Sequence, residues 1–370
     1  MRRIIAQARK ELRQITRDRL ALALAFLLPA ILLTILGSAI SLTVSKLPIV
    51  VQDLDATPLS RKYIEAFQAS LTFQIVPLAP SKQPEHALQV NEARAAVIIP
   101  QNFERDVLRG INTEVQILVD ATEPNTANIM RGSLVALTQN FLQQAVPPNW
   151  RMRPAIKPVS RLWFNPGRDS KMFFAPGNFV LGLSMFPPLL VALAMSRENE
   201  QKTILQVYVS SITAHEYLLG KIAAYTIIGI IEWLIGLAML STVFGMNVVA
   251  DPTPFLLGSF LFLVCVVSFG VMVGAGLSNQ AAAVQAVAIG GFMMAFLLSG
   301  IIFPVETIPT VLQPFANIAQ ARYYVVIVRD ALVRGGGWPA VWWCVLAIAG
   351  LASVFYWLAW RKMRLMQLRD

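Results

Sequence analysis

The chain has 370 residues, of which 56% are hydrophobic and 14% charged, and its formal net charge is +10. Soluble domains carry about a quarter charged residues, so the composition excludes an ordinary soluble enzyme and implies an integral membrane protein. The basic excess flanks apolar runs, as it does where it sets topology and meets anionic lipid, so membrane lipid is an expected partner and nucleic acid is not.

Residues 1–19 repeat Ile5, Ala8, Leu12 and Ile15 at helical spacing among Arg and Lys, which predicts a cytoplasmic amphipathic helix on the membrane surface. Residues 20–45 read as the first transmembrane span. The run is longer than the apolar core of about 7–15 residues in a cleavable signal. Residues 46–172 are polar and mixed. Within them PIVVQD (Pro48 to Asp53), TFQIVP (Thr72 to Pro77), AAVIIP (Ala95 to Pro100) and EVQILVD (Glu114 to Asp120) read as strands. LSRKYIEAF and FERDVLRG read as intervening helices, the second closing at Gly110, and Asn125 to Gln144 as a longer one. That alternation predicts a small α/β domain, followed by a proline-rich connector.

Residues 173–360 hold five more apolar stretches: Phe173 to Met195, Ile222 to Met246, Phe255 to Leu277, Ala281 to Phe303 and Trp338 to Trp360. The expected fold class is therefore a polytopic α-helical membrane protein with six transmembrane helices and an extracytoplasmic α/β domain between the first and second spans. An even number of spans puts both termini on one side, and the basic ends, including the tail 361–370, put that side in the cytoplasm. The charged loop 196–221 then faces the cytoplasm and the loop 304–337 faces outward. Pro304, Pro309 and Pro314 break the chain after the fifth span, and Val311 to Gly335 reads as a re-entrant or interfacial helix pair. Cys265 and Cys344 lie in apolar runs and supply no disulfide framework.

Chemistry-bearing motifs are sparse. HEYLLGKI (His215 to Ile222) comes nearest to a phosphate-binding loop, but His215 stands at the first glycine and Ile222 at the magnesium-binding hydroxyl. The chain is thus expected neither to hydrolyse ATP nor to be an enzyme, and no metal site is expected. Glu232, in IIEWLIG, falls within the third span, where a carboxyl is costly and points to a pathway or to span packing. Gly270 and Gly274 make a GxxxG spacing, for which packing within the subunit is the expected role.

The charged loop carries a resemblance. RENE (Arg197 to Glu200), Thr203, Glu216 and Gly220–Lys221 resemble the cytoplasmic segment of type-2 ABC transporter permeases, with Lys202 where a glycine is usual and Ser210–Ser211 where a Thr-Pro turn is common. SGIIFPVETIP, with Pro304 and Pro309, and RYYVVIVRDALVRGG, with Arg329, resemble the region before that family's last span. AAVIIPQNFERDVLRG and VDAT resemble the outer domain of its long-loop branch. The resemblance implies the membrane subunit of a bacterial ABC exporter in the inner membrane. It implies that Arg197, Glu198, Glu200, Thr203, Glu216, Gly220 and Lys221 couple the chain to cytoplasmic ABC ATPase subunits. ATP and magnesium would be bound by those subunits and no cofactor by this chain. A second permease subunit, identical or related, is implied, and a periplasmic adaptor is a candidate partner. With Lys202 and Ser211 in place of Gly and Pro, the helix at the end of the second span is expected to run further than usual. Amphipathic, drug-like or lipid cargo fits equally well. An ion-coupled secondary carrier using Glu232, and a receptor or assembly scaffold using the outer domain, are the competing readings.

Overall fold

The computed structural model describes residues 1–39, 46–78, 83–90, 92–111, 113–121, 124–145, 170–249, 251–301, 305 and 308–364. The chain divides into two compact units, Ser41–Arg161 and a helical one made of Met1–Ile40 with Leu162–Asp370.

The helical unit opens with α1 (Arg2–Arg17), whose buried side chains are Gln7, Glu11 and Ile15, one face at i, i+4 and i+8. Asp18 is extended and its carboxylate accepts from the N–H groups of Leu20 and Ala21, which stops α1 and caps α2 (Arg19–Leu22). A π-helical turn at Ala23–Leu27 leads into α3 (Leu28–Ala39). Pro29 has no N–H to give back along the helix, so the preceding ladder widens there. Together these pieces form the first span.

In the smaller unit, β1 (Leu47–Asp53), α4 (Pro58–Gln68), β2 (Phe73–Ile75), α5 (Pro84–Gln89), β3 (Ala95–Ile99), α6 (Phe103–Arg109), β4 (Gln116–Val119) and α7 (Pro124–Ala145) follow in order. The sheet order is β2-β1-β3-β4, parallel except for the antiparallel β3–β4 pair. Tyr63, Phe67, Phe103, Met130 and Leu134 from the helices pack on Ile49, Val97 and Ile99. The four strands match the sequence expectation. Gly110 ends α6 in the left-handed region, where glycine carries no Cβ penalty. The short α5 has no counterpart in the sequence reading. The proline-rich connector and the last six residues of the basic tail lie outside the described residues, as does Pro304.

The helical unit resumes with α8 (Lys171–Glu200), α9 (Ile204–Tyr208), α10 (Ala214–Thr242), α11 (Thr253–Gly276) and α12 (Gln280–Val287). A π-helical stretch, Ala288–Met293, joins α12 to α13 (Met294–Leu298), and α14 (Gln313–Ala316), α15 (Gln320–Arg329) and α16 (Trp338–Met363) follow. Among the described residues six helices are long and apolar enough to cross a membrane. Of these, α8 is the central one, with 83% of its most apolar window buried against 22% for the fifth span. The expected helix pair after the fifth span is present as α14 and α15.

Small residues set the closest approaches. A Cβ on Gly274 would lie 2.7 Å from Met195 Cβ, and one on Gly270 would lie 2.6 Å from Pro188 Cα. The GxxxG pair therefore packs α11 against α8 inside the subunit, as expected. Arg329 donates to the carbonyls of Gly300 (2.9 Å) and Ile301 (3.0 Å) and lies 4.2 Å from the Phe173 ring centroid. It thus ties α15 to the end of the fifth span and the start of α8. Pro309 is exposed, and its carbonyl accepts from Leu312 N–H.

Candidate functional site

The loop expected over 196–221 is shorter than its charges suggest. Helix α8 continues through Arg197 and Glu198 to Glu200, and α10 already begins at Ala214. The start of α10 is a capping box: Thr213 Oγ1 accepts from Glu216 N–H, and the Glu216 carboxylate accepts from Thr213 N–H at 3.0 Å. The expected longer helix does not form, since α8 ends at Glu200. Lys202, where the resemblance implies a glycine, has φ +55°, a left-handed conformation that turns the chain into the separate helix α9.

Charge inside the helices is explained by α1. Lys221 is fully buried, with Nζ 2.9 Å from Glu11 and 3.1 Å from Glu198. Lys10 Nζ lies 2.8 Å from the other Glu198 oxygen. Tyr217 donates to Glu198, and Gln7 donates to Glu11 at 2.8 Å. Two ammonium groups thus balance two carboxylates, and Gln7 and Tyr217 add one neutral donor to each carboxylate. A buried ion cluster needs both to offset desolvation. Burial works against the Lys10 charge, but the hydrogen bond and charge of Glu198 outweigh it and raise its pKa above the ordinary lysine value.

Further contacts extend the latch. Arg197 reaches Asp18 at 3.2 Å, and Arg3 reaches both the Ser211 carbonyl at 2.5 Å and Glu216 at 3.6 Å. The N–H of Ala21 and then the Arg197 side chain hold the Asp18 carboxyl below its usual pKa. Gly220 is where α1 comes closest: a Cβ there would lie 2.7 Å from Gln7 Cβ.

Of the residues named from sequence, Arg197, Glu198, Glu216, Gly220 and Lys221 therefore converge on α1 or its end. Glu200 points elsewhere, accepting from Gln280 Nε2 at 2.8 Å at the start of α12. Thr203 donates to the Glu198 carbonyl at 3.3 Å. Glu198 and Lys221 are interior rather than edge residues. What the loop presents outward is α9 with its flanks: Leu205, Gln206, Ser210 and, most of all, Val209, which is 87% exposed. A polar cleft of about 390 Å³ runs between α1 and α9, lined by Gln7, Lys10 and Gln14 on one side and Gln201, Gln206 and Ser210 on the other.

Sequence reasoning missed Glu11, Lys10, Gln7 and Asp18. One signal was available: Glu11 is the sole acid of α1, and it sits four residues from Ile15 on the apolar stripe. Glu232 lies in α10, 4% exposed, with no hydrogen-bond partner for either carboxyl oxygen among the described residues.

Comparison with known proteins gives one family. The sequence model of the ABC-2 family transporter protein matches residues 19–361. The chain is 29% identical to the probable multidrug ABC transporter permease YbhS of Escherichia coli, over 98% of this chain and 96% of that one. It is 24% identical to the inner membrane transport permease YhhJ of the same organism, over 98% and 97%. It is 20% identical to the linearmycin resistance permease protein LnrN of Bacillus subtilis, over 90% and 92%.

Proposed function

The chain belongs to the ABC-2 family of transporter proteins, and from that premise we propose that it is the permease subunit of an ATP-driven exporter whose motor is a separate cytoplasmic ABC ATPase. Multidrug and resistance permeases among its relatives support amphipathic, drug-like or lipid cargo moving outward. The chain would sit in the bacterial inner membrane with both termini cytoplasmic and the α/β unit outside. It would pair with a second permease subunit, identical or related. ATP and magnesium would be bound by the ATPase, and a periplasmic adaptor could meet the α/β unit.

The observation that carries this reading is the latch. A permease without a nucleotide site must receive work mechanically, through an element whose position both partners bias. Here α9 is the exposed element, and it joins α8 to α10, both of which are fastened to α1 by the ion pairs of Glu11, Glu198, Lys10 and Lys221. In the proposed cycle the ATPase grips α9 and the adjoining face of α1. Its closure moves α1, α8 and α10 together, because separating them would leave charges buried and unpaired. Glu198, Lys221 and Gly220 thus act behind the contact, with α9 at it. Thr203 and the Glu216 capping box hold the two ends of the loop.

The test is co-purification with the ATPase and stimulation of its hydrolysis. Leu205→Asp with Val209→Asp should abolish both while the thermal midpoint of the permease stays within a few degrees. Retention of full coupling by that variant would refute the assignment of α9.

A further inference from the structure

Where α1 meets the first span, a crevice opens between the end of α1, the start of α2 and the last turns of α8. Gln14, Leu20, Leu190, Leu193, Ala194 and Arg197 are among its walls. Its volume is about 70 Å³, several times what one water needs. The floor is apolar, with Leu190 buried, and Leu20 on the rim is 68% exposed. The rim is also charged. Arg13, Arg17 and Arg19 are exposed and, among the described residues, have no ion pair. Arg17 follows Gln14 by three positions, so both lie on the crevice side of α1. Arg197 gives one N–H to Asp18, and a guanidinium carries five.

We infer that this crevice is a discrete site for one anionic phospholipid of the leaflet that α1 lies on. The lipid phosphate sits on Arg17 and Arg197, and the first carbons of one chain enter between Leu20, Leu190 and Leu193. The inference goes beyond the exporter reading and needs only that the first span and α8 cross a membrane. Position argues for it. Asp18 alone separates α1 from α2, whose first residue, Arg19, opens the apolar segment Arg19–Gly37. The crevice therefore stands where head groups give way to chains. Guanidinium forks match phosphate oxygens. The four arginines outweigh Asp18, so the rim favours a lipid of net negative charge over a zwitterion, whose ammonium it repels. A soluble anion would leave the apolar floor uncovered. An acidic protein surface would suit the arginines but not a floor at membrane depth.

The experiment uses the full chain in nanodiscs that hold equal parts of dioleoylphosphatidylglycerol and dioleoylphosphatidylcholine. The lipid that stays with the protein on release from the disc is counted by native mass spectrometry. The wild-type chain should retain phosphatidylglycerol over phosphatidylcholine by about tenfold, the worth of one charge-assisted contact. Arg17→Gln changes an exposed residue and should reduce that ratio to within about threefold. Ala194→Leu fills the crevice without touching any charge and should reduce it as far. Arg9→Gln removes an equal charge about two turns earlier on α1 and should leave the ratio unchanged. Glycerol phosphate, which has the phosphate without the chains, should not displace the bound lipid. Equal retention of the two lipids would overturn the site. So would a ratio untouched by Arg17→Gln and Ala194→Leu. Equal losses from Arg9→Gln and Arg17→Gln would mean diffuse attraction to a basic helix, and displacement by glycerol phosphate would mean a soluble-anion site. Either result would contradict the proposal. With no ATPase present, none of these outcomes bears on the exporter reading.

Discussion

Lys221 has none of its side chain exposed, a burial that its two carboxylate partners make tolerable. Lys221→Met should therefore destabilise the latch by about 3–5 kcal/mol, because Glu11 and Glu198 would be left in excess. Adding Glu11→Leu should recover a large part of that loss, as a double-mutant cycle on thermal unfolding would show. The pH window of the latch follows from two groups. Lys10 has a raised pKa, so its contribution is complete below the ordinary value of 10.5 and is lost as pH climbs through the raised one. Asp18 has a lowered pKa, so its contribution is complete above the ordinary 3.8 and is lost as pH falls through the lowered one. The protection factors of the α1 amides should accordingly fall beyond both limits and stay high between them. Lys202 stores strain of a different kind. Lys202→Gly should stabilise the loop by about 1 kcal/mol, visible as a raised midpoint, since only a Cβ makes φ +55° costly.

Helices meet where side chains are missing. Gly274→Leu should cost about 1–3 kcal/mol or more through overpacking, because its Cβ position already lies 2.7 Å from Met195 Cβ. The same substitution at Gly350, where nothing lies within 4 Å, should be nearly neutral in the same unfolding assay. At this scale the six spans were legible because length and hydropathy fix them almost unaided. Strands β1 to β4 were legible too, through short β-branched runs between turn residues. The ends of α8 and α10 were not. Charge at Glu198 and Lys221 reads as loop until a partner is known, and that partner, Glu11, lies 210 positions from Lys221 along the chain. Lys202 misled in the opposite sense. A lysine favours continuing the helix, whereas the turn demanded by the loop overrides that preference.

On the scale of the molecule, α1, the exposed loop between α8 and α10, and the spans behind them are joined by one continuous set of contacts. The α/β unit has its own core, and its outer location belongs to the proposed topology. These two assignments meet in one experiment. A photo-crosslinking residue is placed at Val209 in one chain and at Leu71, 91% exposed in the α/β unit, in another. Each is co-expressed with the ATPase and irradiated in membrane vesicles. The expected result is an adduct between Val209 and the ATPase whose yield changes with ATP, and none from Leu71. An ATPase adduct from Leu71, with Val209 silent, would contradict both the docking element and the orientation of the chain.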